Sequence, residues 1–171
     1  MASTVTLVKG VAAGAFAFAT NVANDDTVVI GDITYTFKTT PNAVYTVDVG
    51  ADLDTSIGNL VAAINASGTA GLTTYYTGTL ANPYVTAAAD LANDEIDLTA
   101  RYAGDWINAL RLDSTHPGAN EITAASTCFS GVSGGTDGSG NLASHLLSVL
   151  ELCQVNSDVQ VELKKVTEAA D

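Results

Sequence analysis

Residues Gly131-Val132-Ser133-Gly134-Gly135 spell G-x-S-x-G, the pattern that places a nucleophilic serine on a tight strand-to-helix turn. An acid and a histidine, Asp137 and His145, follow in the order that such hydrolases use. The chemistry asks for more than order. Acid and base must arrive on separate elements that converge on the serine. Here all three crowd into a short stretch, and little chain follows Ser133 to supply the further strands of the sheet that would position it. The same glycines suit a flexible connector. No catalytic residue is assigned, and the chain is read as a non-enzyme.

Other site chemistries fare no better. A phosphate loop needs a lysine after its glycines, and Gly131–Gly140 contains none. The dinucleotide fingerprint G-x-G-x-x-G does not occur. His116 and His145 are far apart in sequence, as are Cys128 and Cys153, so no close ligand pair is present to nucleate a zinc site. The two cysteines can form one disulfide or remain two small buried thiols. Carboxylates are plentiful at Asp25, Asp26, Asp48, Asp52, Asp54, Asp90, Asp94, Glu95 and Asp97. They could cleave glycosides or hold Ca²⁺ across Asp90–Asp97, but no D-x-[DN]-x-[DN]-G loop appears, and solvated turns and strand faces explain them. Neither a metal nor a cofactor is expected. Tyr75, Tyr76, Tyr84, Tyr102 and Trp106 could form a sugar platform, although aromatics at strand spacing more often serve a core or an interface.

The bulk properties narrow the classes. The 171 residues suit one domain, with room for a small appendage, and that length can bury a core without disulfides or metal. Hydrophobic residues make up 47% of the chain and charged ones 15%, which is too apolar for disorder. Six basic residues face nineteen acidic ones, for a net charge of −13. Direct binding to nucleic acid or to anionic lipid is therefore not expected, since both need clustered Lys or Arg. The longest apolar run, Val11–Ala19, is interrupted by Gly14 and falls well short of the roughly 20 residues of a membrane helix. It also makes a poor signal peptide and reads as a strand.

The pattern along the chain is mostly β. Thr4–Leu7 and Val11–Ala19 read as strands, the latter with Phe16 and Phe18 on one face and Ala on the other. Thr27–Ile30 and Ile33–Lys38 flank Gly31-Asp32, which suits a two-residue II′-type hairpin. Further strands are expected at Val44–Val49, Thr73–Thr77, Tyr84–Ala87, Glu95–Tyr102, Leu110–Leu112 and Glu121–Ser126. Between them the period changes. Ile57, Leu60, Val61 and Ile64 fall on one helical face, with Asp52 or Asp54 as N-cap and Gly68 just past the end. The expected architecture is mainly β (α+β): an antiparallel β-sandwich or barrel-like body over 1–130 with a helix near 54–66. A Gly-rich hinge follows at 131–141, then a C-terminal helical segment at 142–171, whose last element also fits a strand.

Three segments in order carry a resemblance: DDTVVIGDITYTFK, TSIGNLVAAINAS and IDLTARYAGDWINALRL. Their order is similar to a small module in virion proteins of tailed bacteriophages, found within contractile-tail sheath proteins and in free-standing capsid decoration and tail proteins. The matching residues are Ile30, Gly31, Tyr35, Phe37, Ala63, Ile64, Asn65, Leu98, Thr99, Ala100, Gly104, Asn108 and Leu110. The resemblance covers roughly residues 20–135. Trp106 and Ile107 stand where the pattern usually has a second glycine, and the large flanking domains of a sheath protein are missing from this sequence.

The resemblance implies a capsid decoration (cement) protein that bridges shell subunits on the virion surface after assembly in the bacterial host cytoplasm. It implies the major capsid protein and copies of the chain itself, as a homotrimer, for partners, and supplies no catalytic residues. The alternatives are a tail tube, sheath-associated or head–tail connector component, and a carbohydrate or host-receptor module using the tyrosines. The expected interface is the helical stripe Leu142, Leu146, Val149, Leu150 and Cys153, because an apolar face behind a loose hinge needs something to cover it.

Overall fold

The computed structural model describes residues 11–102, 106–115, 122–124 and 129. The expected strand Thr4–Leu7, the hinge and the C-terminal segment lie outside them. Among the described residues there are eight strands: β1 Ala13–Phe18, β2 Thr27–Ile30, β3 Ile33–Lys38, β4 Thr46–Asp48, β5 Val85–Asp90, β6 Glu95–Ala100, β7 Leu112–Thr115 and β8 Ile122–Ala124. One helix, α1 Leu53–Asn65, follows β4, and a 3₁₀ turn at Trp106–Ala109 precedes β7. The fold is mainly β with one embedded helix, as the sequence pattern implies.

The strands form two four-stranded sheets, ordered β5-β6-β1-β8 and β4-β3-β2-β7. Alternation sets their inner faces. Ile96, Leu98 and Ala100 of β6 are buried, while Asp97 and Thr99 face out. Phe16 and Phe18 of β1, Val28 and Ile30 of β2, and Tyr35 and Phe37 of β3 join them in a single core. Burying each of these larger side chains stabilises the fold by about 2 kcal/mol. The sheets meet closely at Gly14, where an added Cβ would lie 3.0 Å from both Leu112 of β7 and Phe129. Beside this meeting point β8 lies against β7, and Ser114 Oγ donates to Ile122 O at 2.5 Å.

The hairpin Thr27–Lys38 has the expected register, with Ile30 opposite Ile33. Gly31 has φ +67° and Asp32 does not have a positive φ, the sign pattern of a II′ turn. β4 departs from an all-antiparallel expectation by pairing parallel to β3, Thr36 opposite Thr46 and Lys38 opposite Asp48. Parallel neighbours usually need a long crossover. Here the overlap is so short that the chain retreats only about 7 Å along the strand and about 5 Å sideways. The linking residues 39–45 can reach roughly 24 Å when extended. Tyr45 makes the reversal at φ +63°, a left-handed conformation that removes it from the expected strand Val44–Val49.

Thr73–Thr77 is also not a strand. It belongs to a strap that runs antiparallel along the outer edge of β4. Asp48 N donates to Thr74 O (2.8 Å), Tyr76 N donates to Thr46 O (3.0 Å), and Tyr45 N donates to Thr79 Oγ1 (2.9 Å). A covered edge is closed to stray strand pairing.

Helix α1 packs on β5 and β6 of one sheet and on β4 of the other. Asp52 caps it, accepting Thr55 N at 2.9 Å. Its C-cap is left-handed Ala66 (φ +47°), and the expected Gly68, also at positive φ (+74°), lies just past the end. Ile57, Leu60, Ala63 and Ile64 are fully buried, and Val61 is half-buried at the rim of the stripe.

Candidate functional site

The residues first weighed for reaction chemistry, Ser133, Asp137, His145, His116, Cys128 and Cys153, lie outside the described residues. So does the expected interface Leu142, Leu146, Val149, Leu150 and Cys153. The acidic candidates scatter. Asp25 pairs with Lys38, Asp52 caps α1, and Asp90 stands opposite Glu95 at the base of the β5–β6 turn. Among the described residues no three of His, Cys, Asp and Glu converge as a metal site requires.

The tyrosines do not form one platform. Tyr75 is buried, and its hydroxyl donates to Ser67 O at 3.1 Å. Tyr84 lies against the hairpin tip, where its hydroxyl pairs with the Asp32 carboxylate, and that bond holds the phenol above its usual pKa. Tyr102 is exposed. The side chain of Trp106 lies outside the described residues.

What composition alone did not single out is a set of buried and half-buried amides that tie helix to sheets. Asn59 Nδ2 donates to Asp48 O of β4 at 3.2 Å. Asn65 Nδ2 donates to Ala87 O of β5 at 2.7 Å, and its Oδ1 accepts Ala87 N at 3.0 Å. Asn21 accepts from Ser56 Oγ at 2.6 Å and donates to Gly50 O at 3.1 Å, fixing the entry to α1. Asn82, fully buried, accepts from Tyr84 N and Val85 N, donates to Tyr35 Oη at 3.4 Å, and receives Arg101 Nε on its backbone carbonyl at 2.7 Å. The available signal was position: Asn59 and Asn65 lie on a helix, Asn21 and Asn82 in loops entering structure, all spots where a side-chain amide meets open backbone groups.

Burial raises the Tyr35 phenol to about 12, only partly offset by Asn82. Burial likewise raises the Asp48 carboxyl. The hydrogen bonds from Thr55 lower Asp52, and Arg111 lowers Asp113. Asp26 is different. It sits immediately before β2 with no exposed surface, Oδ2 accepts Ala23 N at 2.7 Å, and Oδ1 has no hydrogen-bond partner among the described residues.

The surface itself carries a second unmarked feature. From Thr55 through Ala89 the chain holds no Asp, Glu, Lys, Arg or His, and neither does Thr39–Val47. In the fold these two segments come together, because the strap is bonded along β4. Three of the exposed large hydrophobics sit here: Val44 (53%), Leu72 (60%) and Leu80 (68%). Leu72 stands at the Asp48 end of the strap and Leu80 at the Val44 end, where Val44 Cγ1 approaches Gly78. An uncharged band with exposed leucines can bind a surface.

No protein-family model, curated protein or solved structure matches this chain.

Proposed function

We propose that the chain is a non-enzymatic structural component of a tailed-phage particle, a decoration protein that bridges subunits of the capsid. The observation that supports this is where the residues of the ordered resemblance lie. Ile30, Tyr35, Phe37, Ala63, Ile64, Leu98 and Ala100 are all in the core, Gly31 makes the hairpin turn, and Asn65 braces α1 to β5. A signature written in core, turn and brace positions specifies a shape. It fits a module selected for the surface it presents rather than for a reaction.

On this reading the chain works by adding buried area across subunit boundaries, repeated over many copies, so that modest contact energies sum to resistance against internal pressure. The partners are the shell protein and further copies of the chain, without direct contact to the packaged nucleic acid. The acidic exterior limits non-specific association. Quantitative mass spectrometry of gradient-purified particles tests the proposal. A copy number comparable with that of the shell protein is expected. A ring's worth of copies moves the chain to the tail or connector, and a few copies with glycan binding would indicate a receptor module. A measured hydrolysis that Ser133→Ala abolishes would sink the non-enzymatic reading.

A further inference from the structure

We infer that the uncharged band formed by Thr39–Val47 and the strap over β4 is the surface through which one copy of this chain meets another. The inference rests on the virion reading for the expectation that copies stand side by side, and deepens it by naming the contact. The argument is electrostatic. At a net charge of −13, two copies repel over most of their surface. A partner of opposite charge would be drawn to that acidic exterior. A like-charged copy can dock only where neither side brings charge, and apolar groups must then supply the attraction.

The band meets both conditions. It has no ionisable group other than tyrosine along Thr55–Ala89 or Thr39–Val47, and it exposes Val44, Leu72 and Leu80. The edge of β4 is already taken, since Thr74 and Tyr76 bond to it and Thr79 Oγ1 accepts Tyr45 N just before it, so the contact is made by side chains and not by strand addition to β4. Asp48 marks the end of the band, and burial already raises its carboxyl. The other exposed leucine among the described residues, Leu91, lies in the β5–β6 turn among Asp90, Asp94 and Glu95, where like charges oppose self-contact.

Sedimentation velocity of the full chain at about 100 μM, above the micromolar dissociation constants of modest interfaces, tests the inference. The wild type is expected to self-associate, more strongly as salt screens the acidic remainder. Leu72→Glu with Leu80→Glu is expected to weaken association by about tenfold or more, because each copy would bury unpaired charge. Leu72→Thr with Leu80→Thr should weaken it as well without adding charge, and Leu91→Glu should leave it unchanged. Melting curves check that each variant folds. A monomeric wild type, or association untouched by both double substitutions, overturns the inference. A monomeric wild type that still co-sediments with capsids overturns the self-contact while the virion reading stands. Self-association through the band by a chain absent from particles supports the contact and removes the virion reading.

Discussion

The side chain of Asn65 does for Ala87 what a neighbouring strand would do. Its Nδ2 donates to Ala87 O and its Oδ1 accepts Ala87 N, so both outward backbone groups of one β5 residue are satisfied by one amide. Val85 N, the preceding outward group, is taken by Asn82 Oδ1. On the other sheet, Asn59 reaches the carbonyl of Asp48. Helix α1 thus closes the space between two sheet edges with side chains in place of a ladder, which lets a two-sheet body keep a rigid surface with few open edges.

Asn65→Ala should therefore cost more than an ordinary half-exposed substitution. It leaves both Ala87 groups without their partner, a loss of roughly 1–3 kcal/mol. Urea denaturation measures it. A change within about 0.5 kcal/mol, the range of plain surface substitutions, would mean that the amide is not a brace.

Tyr35 makes stability sensitive to high pH. Its phenol is raised from 10.0 to about 12 in the folded protein, so the stabilisation is full below pH 10 and is lost as pH rises through about 12. A shift of this size corresponds to about 2–3 kcal/mol. Tyr35→Phe should flatten the stability curve over that window. Parallel curves for wild type and variant would contradict the assignment.

Asp26→Asn should stabilise the protein at neutral pH. The carbonyl of the amide can still accept Ala23 N, while the unpartnered Oδ1 is replaced by a neutral group. A buried carboxyl group with one oxygen left unpartnered costs more than a neutral amide in its place, so a gain on the order of 1 kcal/mol is expected. Thermal melting at pH 7 reads the sign, and clear destabilisation would refute the argument.

Gly50→Ala should disturb the start of α1. An added Cβ would lie 2.6 Å from Thr55 Cβ and 2.7 Å from Ser56 N, and the backbone nitrogen cannot move without shifting the capped turn. Overpacking of this kind costs typically 1–3 kcal/mol, roughly comparable to loss of a cap. An unchanged melting temperature would show that the helix entry has slack.

The elements that could be read from sequence have local determinants. Gly31-Asp32 between alternating runs specifies the hairpin, and Asp52 with the Ile57–Ile64 stripe specifies the helix, because capping, turn geometry and periodicity act within a few residues. The reading failed where distant residues decide. Tyr45 takes a left-handed conformation because the chain must return beside β3, and Thr73–Thr77 is held as a strap because β4 offers its edge. Neither constraint leaves a mark in its own segment. The amide braces were equally hidden, since Asn65 reads as an ordinary helix end until Ala87 is placed beside it. The uncharged band was visible as a run without ionisable groups other than tyrosine, but only the pairing of strap and β4 makes it one surface. The expected interface at Leu142–Cys153 lies outside the described residues.

Cryo-electron microscopy of particles carrying this chain tests the central claim most directly. The account predicts density for the two-sheet body repeated over the capsid exterior, seated across subunit boundaries. Density confined to the tail or to fibre tips, or the absence of the chain from particles, would contradict it.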